Sequence, residues 1–266
     1  MFNYDELIKR LDSPSWSLYK DLISECPKDD SILDAHHGPH WNFIETKAGL
    51  GVSHFFKPFE GQDTQDTTDL IGKSTDHALE LIFSWNFNAA AYGIAAVNAC
   101  LNTPKQEKRL NAEIPASKKE DAISKLMPKF KGGRVAVIGH FPKVEVYAAN
   151  HELYVLELNP STNVDVFTSA SEYLLPSCDL VIMTGMTLAN KTAPRLLELS
   201  KNACTAMVGP SVPVSDVLFD YGVDIIGSSV AHNIERTKEL ILDPSAGKLF
   251  GEAFRNITVI RPGFTW

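Results

Sequence analysis

Five short apolar runs in the second half of the chain each break off into small, polar or Gly/Pro residues: RVAVIGHFP (134–142), LYVLELNP (153–160), DLVIMTGMT (179–187), CTAMVGPS (204–211) and VDIIGSSV (223–230). Continuous Val/Ile/Leu runs of this length suit strands covered on both faces, as in a parallel sheet with helices above and below. Helical stretches alternate with them: PKVEVYAAN (142–150), TAPRLLELSKN (192–202), PVSDVLFDYG (213–222) and NIERTKELIL (233–242), with ITVIRP (257–262) as a last strand. This order predicts a doubly wound parallel sheet. In open sheets of that kind ligands bind outside the carboxyl ends of the strands, so the five tails are expected to converge on one site.

The first half has a different rhythm. FNYDELIKRLDS (2–13) puts Tyr4, Leu7, Ile8 and Leu11 on one helical face; Pro14 interrupts it, and SWSLYKDLISEC (15–26) resumes the helix. HWNFIETKA (40–48) and GVSHFFKP (51–58) predict a hairpin turning at Gly49-Leu50-Gly51, followed by a polar loop over 60–72. Helices are predicted over 76–85 and 86–102, with Asn86 and Asn88 as caps. Ala89, Gly93 and Ala96 recur there at a spacing that lets another backbone approach closely. The pattern predicts a smaller α+β unit over 1–103, a charged, proline-bearing linker over 104–120, and the α/β unit over 121–266. Ser117 and Glu120 have the spacing of a capping box for a helix over DAISKLM (121–127).

Composition narrows the function classes. A net charge of −8 argues against a nucleic-acid or anionic-membrane binder, which needs a basic face. No apolar stretch approaches membrane-spanning length, and the N-terminus lacks the apolar core of a signal peptide, so a cytoplasmic protein is expected. Cys26, Cys100, Cys178 and Cys204 form neither a disulfide framework nor a zinc ribbon and are expected as buried free thiols.

The strand ends carry the candidate chemistry. Gly139-His140-Phe141-Pro142 stands where a dinucleotide fold has its glycine-rich turn, but only the first glycine is present. Glu157 ends the next strand, near the usual place of a ribose-binding acid. NAD is therefore disfavoured. Pro142 suits a first helical turn, leaving His140 on the connection, either as acid, base or metal ligand or as a hydrogen bond within the turn. Asn159, Thr184, Gly185, Thr187 and Asn190 supply neutral polar groups, and Thr187 or Asn190 can instead cap the helix near Thr192. Lys191 is expected to point to water. Gly209-Pro210-Ser211 and Gly227-Ser228-Ser229 are turns whose backbone donors can hold an anion. No G-x-S-x-G elbow or P-loop is present. In the first half, His36-His37-Gly38-Pro39-His40 offers three imidazoles to a transition metal, with Asp34 or a remote Glu completing the shell, or else a solvated turn. Glu60, Asp63, Asp66 and Asp69 read as a solvated loop.

The strings GHFP (139–142), ELNP (157–160), TGMTLANKT (184–192) and VGPSVP (208–213), in this order, resemble the putative heavy-metal chelation domain family, a family of unknown function. YGIAAVNA (92–99) resembles its usual N-terminal partner domain. The resemblance implies a Rossmann-like C-terminal domain preceded by a smaller domain like the N-terminal domain of enolase, with the site between them. The expected ligand set is Gly139, His140, Phe141, Glu157 and Asn159 from the first two strand ends, Thr184, Gly185, Thr187 and Asn190 from the third, and Pro210 and Ser211 from the fourth. His36, His37 and His40 are the metal candidates. The expected function is an interdomain small-molecule site for heavy-metal chelation or the synthesis or handling of a metal chelator, either as an enzyme or as a binding protein without turnover. The alternative is a nucleotide-, NAD- or S-adenosylmethionine-dependent enzyme with a degenerate phosphate loop.

Overall fold

Two sheets and one buried helix organise the chain. The computed structural model describes residues 14–56, 67–115 and 121–265. The helix expected over 2–13, the acids Glu60, Asp63 and Asp66, and the Ser117–Glu120 capping box lie outside the described residues.

Helix α1 (Ser17–Ser24) precedes an antiparallel sheet of β1 (Ile32–His37), β2 (Trp41–Thr46) and β3 (Leu50–His54). The expected hairpin is β2–β3; β1 was not visible in the sequence because a register shift between Ile32 and Asp34 breaks its alternation. Helix α2 (Phe87–Leu101) lies against this sheet, and the Asn86 side chain accepts from the amides of Asn88 and Ala89 to start it. Asn88 is inside the helix and buried. Nearly every residue of α2 is buried, as a helix apolar on all sides requires. Its small residues set the packing distance. A Cβ on Gly93 would lie 2.2 Å from Ile82 N, and one on Gly51 of β3 would lie 2.0 Å from Ala99 N.

Residues 104–109, inside the expected linker, form helix α3 (Pro104–Arg109), with the Thr103 hydroxyl accepting from the Gln106 amide at its start. Ion pairs Glu107–Arg255 (2.7 Å) and Arg109–Asp216 (2.5 Å) fasten it to the second unit. Helix α4 (Ala122–Leu126) starts with a capping box made by Asp121 and Ser124.

The second sheet contains β4 (Arg134–Ile138), β5 (Glu152–Glu157), β6 (Asp165–Phe167), β7 (Leu180–Thr184), β8 (Cys204–Val208), β9 (Ile225–Ala231) and β10 (Phe254–Ile260). Their order is β10-β9-β8-β7-β4-β5-β6, parallel throughout except that β10 runs antiparallel to β9. The strand order reverses beside β4, which is where a doubly wound sheet opens its crevice. Helices α5 (Met186–Ala189) and α6 (Ala193–Leu199) follow β7, and α7 (Ile234–Leu242) follows β9. The chain from 243 to 253 returns to the carboxyl end of the sheet before β10 begins, hence its reversed direction. Residues 142–150 form only a short turn at Val144–Tyr147 in place of the expected helix, because Lys143 takes a left-handed φ of 64° directly after Pro142. One apolar cluster runs from Leu18 and Tyr19 through α2 to Met183, Met207 and Ile226, so both units share a core. Among the described residues no helix is long and apolar enough to cross a membrane.

Candidate functional site

The carboxyl ends of β4, β5 and β7 open onto a cavity of about 860 Å³. Its far wall belongs to the first unit: Pro39 and His40 from the β1–β2 turn, and His54, Phe55 and Phe56 at the end of β3. Apolar side chains (Ile138, Leu156, Met186, Leu196) make up much of the interior, with hydroxyl and amide groups along the strand ends.

Gly139, His140, Phe141, Glu157, Asn159, Thr184, Thr187 and Asn190 all line this cavity. Gly139 turns the chain with φ 92°, and a Cβ there would sit 2.9 Å from Thr184 Cγ2. Glu157 occupies the place of an anion: Oε1 accepts from His140 N at 2.5 Å and Oε2 from Leu158 N at 3.1 Å. A pyrophosphate at this turn would compete with that carboxylate for the same amides and be repelled by it.

His140 is fully committed. Its Nδ1 lies 2.7 Å from Asp165 Oδ1 and its Nε2 2.9 Å from Glu145 Oε1. The hydrogen bond to Asp165 raises its pKa above the ordinary imidazole value, with Glu145 adding to the effect. Asp165 is held well below the usual carboxylate range by the amides of Ser161 and Thr162, each 2.9 Å from Oδ2, and by His140. The histidine therefore clasps the end of β4 to β6, with one ring nitrogen on each of two carboxylates. Thr187 donates to Thr184 O at 2.7 Å, closing the turn after β7. Asn190 Oδ1 accepts from Thr192 N and Thr192 Oγ1, leaving its Nδ2 without a partner among the described residues. Lys191 does not extend into water. It takes φ 67°, donates to Ala189 O at 2.8 Å and lies 5.6 Å from the Tyr19 ring centre.

Gly185, Pro210 and Ser211 are not on the cavity wall; Pro210 and Ser211 contact the first unit, and Gly185 packs on Ser211. A Cβ on Gly185 would lie 2.7 Å from Ser211 C. Pro210 O accepts from Asn98 Nδ2 at 3.4 Å, and buried Ser211 Oγ accepts from His54 N at 3.1 Å.

The three candidate metal histidines do not converge. His36 lies beside Phe43, His37 stacks on Phe55 with ring centres 4.9 Å apart, and His40 alone lines the cavity. Asp34 pairs with Lys238 at 3.2 Å. Among the described residues no group of three or more His, Cys, Asp or Glu side chains could hold a metal ion. The string His36-His37-Gly38-Pro39-His40 is instead a hairpin turn docked on α7, where a Cβ on Gly38 would lie 1.7 Å from Ile241 O. The four cysteines are free; Cys204 is half-buried and the others buried.

Sequence reading missed His54, Phe55 and Phe56. Their position at the end of an expected strand was a signal, but nothing local showed that this end faces the other unit. His54 opens onto the cavity, with Nδ1 2.9 Å from Phe55 O and its ring edge-on to Trp41 at 5.3 Å. Packing against its neighbours lowers the pKa of this solvent-facing ring below the ordinary value, with His40 adding to that and the bond to Phe55 O opposing it.

A family model described as "Putative heavy-metal chelation" (DUF364) matches residues 121–260, and a second with the same description (DUF4213) matches 19–101. An uncharacterized protein of Methanocaldococcus jannaschii is 27% identical over 251 residues, covering 90% of this chain and 93% of its own. A crystal structure of a DUF364-family protein of unknown function from Desulfitobacterium hafniense shares 30% identity with a TM-score of 0.85, covering 93% of this chain and 99% of its own. Another from Pyrococcus horikoshii, at 20% identity and TM-score 0.70, covers 91% and 98% and shares the fold. Both family models, the shared architecture and the ordered strand-end motifs agree: this chain belongs to the DUF364 family, whose description is putative heavy-metal chelation.

Proposed function

We propose that the cleft between the two units binds a small, largely apolar organic molecule and that the protein serves in handling a metal chelator. The observation that carries this is the cavity itself: two units that share one core leave about 860 Å³ open at the strand ends. That volume lies within the range of small-molecule sites. The apolar interior would take a ring or hydrocarbon portion. The Nδ2 of Asn190, the hydroxyls at the strand ends and His54 would orient polar groups. The family description supplies the metal context. The carboxylate of Glu157 on the β4 turn speaks against a dinucleotide as occupant.

Two measurements test the proposal: mass spectrometry of small molecules released from the purified protein, and a thermal-shift panel of small organic chelators. A ligand at about one hundred times its Kd adds about 2.7 kcal/mol of stability, which for a chain of this size raises Tm by about 5–10 °C. Ser169→Trp places a bulky ring at an exposed position of the cavity lining and should abolish the shift. An equal shift in that variant would move the site elsewhere.

A further inference from the structure

The acids lining the cleft are both engaged. Glu157 accepts the amides of His140 and Leu158, and Glu172 takes a two-pronged bond from Arg195 (2.9 and 2.7 Å). Lys191 and Arg195 add positive charge to the same wall. A bare divalent ion entering here would lose its hydration without meeting a free carboxylate among the described residues, and nothing on the wall offsets that cost. The donors that remain are the imidazoles of His40 and His54 and hydroxyl or amide groups, with the thioether of Met186, which the Ser53 hydroxyl meets at 3.9 Å, a set that suits a borderline metal whose charge is already balanced.

His54 is held as a metal-binding imidazole usually is. Its Nδ1–H donates to Phe55 O, which fixes the tautomer and leaves the Nε2 lone pair without a partner among the described residues. The edge of Trp41 confines the ring, and Ser211 Oγ, from the other unit, accepts the His54 backbone N–H. His40 also lines the cleft but has no such support.

We propose that the ligand of the cleft is a metal ion already enclosed by an anionic organic chelator, and that His54 Nε2 completes its coordination shell by displacing one water. Ser211 is a positioning residue for that contact. The inference rests on reading the cleft as the ligand site. Phe55, Phe56 and Phe141 would cover the organic part, and the chelator's own carboxylates would balance the cation.

The test uses the full chain and copper(II) dipicolinate, a flat, neutral aromatic complex with one equatorial position held by water. Electron paramagnetic resonance on protein carrying isotope-labelled histidine reads whether a histidine nitrogen enters the shell. Wild-type protein should show that coupling at one equivalent. Losing an outer-shell partner of a metal ligand costs about 10–100-fold in affinity, so His54→Gln, which removes the ligand, should weaken binding at least about tenfold and abolish the coupling. Ser211→Ala should keep Tm within a few degrees yet broaden or shift the coupling. His232→Gln, remote from the cleft wall, should behave as wild type. Coupling that survives His54→Gln, or that vanishes in His40→Gln instead, overturns the assignment. Aquo nickel(II) bound in a His54-dependent way overturns the chelate requirement. Ser169→Trp separates the two levels. If it blocks binding while His54→Gln does not, the cleft stands and the His54 contact fails. If only His54→Gln blocks binding, the contact stands and the cleft reading fails.

Discussion

Replacing Asn102 should loosen the seam that creates the cleft. Asn102 follows α2 and is buried. Its Oδ1 accepts from Val214 N at 2.8 Å, while its Nδ2 donates to Val212 O at 3.0 Å and Ser228 Oγ at 3.2 Å. Asn102→Ala strands the Val214 N–H without its acceptor, which costs about 1–3 kcal/mol. The carbonyl of Val212 keeps the Ser228 hydroxyl at 2.6 Å, so the donor side loses only about 0.5–1.5 kcal/mol. The sum is about 1.5–4.5 kcal/mol, or a fall in Tm of about 3–18 °C for a chain of this size. Urea unfolding with an unchanged m-value, checked by calorimetry, measures it. Asn102→Asp keeps an acceptor for Val214 but sets a buried charge against the Val212 carbonyl, so it should be at least as damaging as alanine. An alanine variant within about 1 kcal/mol of wild type, or an aspartate variant more stable than alanine, would refute the reasoning.

Three further outcomes are expected. Gly38→Ala drives a methyl into the Ile241 carbonyl and should cost about 1–3 kcal/mol in urea unfolding; an unchanged midpoint would show that the hairpin turn docks on α7 less tightly than the 1.7 Å approach implies. NMR titration should place the His140 imidazole above the ordinary value of about 6.5, falling when Asp165 becomes Asn; a value at or below ordinary would dissolve the clasp. By linkage, the His140 share of stability is full below the ordinary histidine value and fades as pH rises through the raised one. The Asp165 share is present above the ordinary aspartate value of about 3.9 and is lost as pH falls. Burial pushes the thiols of Cys178 and Cys204 up to about 11 and about 12, so native protein near neutral pH should resist alkylation at both until it unfolds; rapid labelling of Cys204 would contradict that.

The parallel sheet was readable because β4 and β7 are almost wholly apolar runs, with β8 and the start of β9 close to it, and a strand covered on both faces suits them. Elements governed by contacts far along the chain were not readable. Strand β6 has three residues, and Asp165 serves the His140 clasp more than any alternation. The Gly38 turn looked like a metal cluster because its histidines are adjacent, whereas the reason for the glycine lies about two hundred residues away at Ile241. At the site, eight of the eleven residues expected from the strand ends line one cavity. The other three share the strand-end location, but Pro210 and Ser211 face the neighbouring unit and Gly185 packs beneath Ser211. Period and spacing specify which end of a sheet a residue occupies; they carry no information on which neighbour covers it.

That distinction decides where the chemistry of this fold can lie. On the sheet side the acids are already engaged: Glu157 accepts backbone amides of the turn after β4 and of Leu158, Asp165 and Glu145 hold His140, and Glu172 is paired with Arg195. Such a wall suits shape and hydrogen bonding more than the recognition of a bare cation. The imidazole whose Nε2 has no partner among the described residues comes from the smaller unit, and its backbone is anchored by a serine of the larger one. Neither unit alone would present His54 to the strand ends. Contacts that dock the units, Asn102 above all, therefore bear on ligand binding as well as on stability, and an Asn102 variant should lose both together.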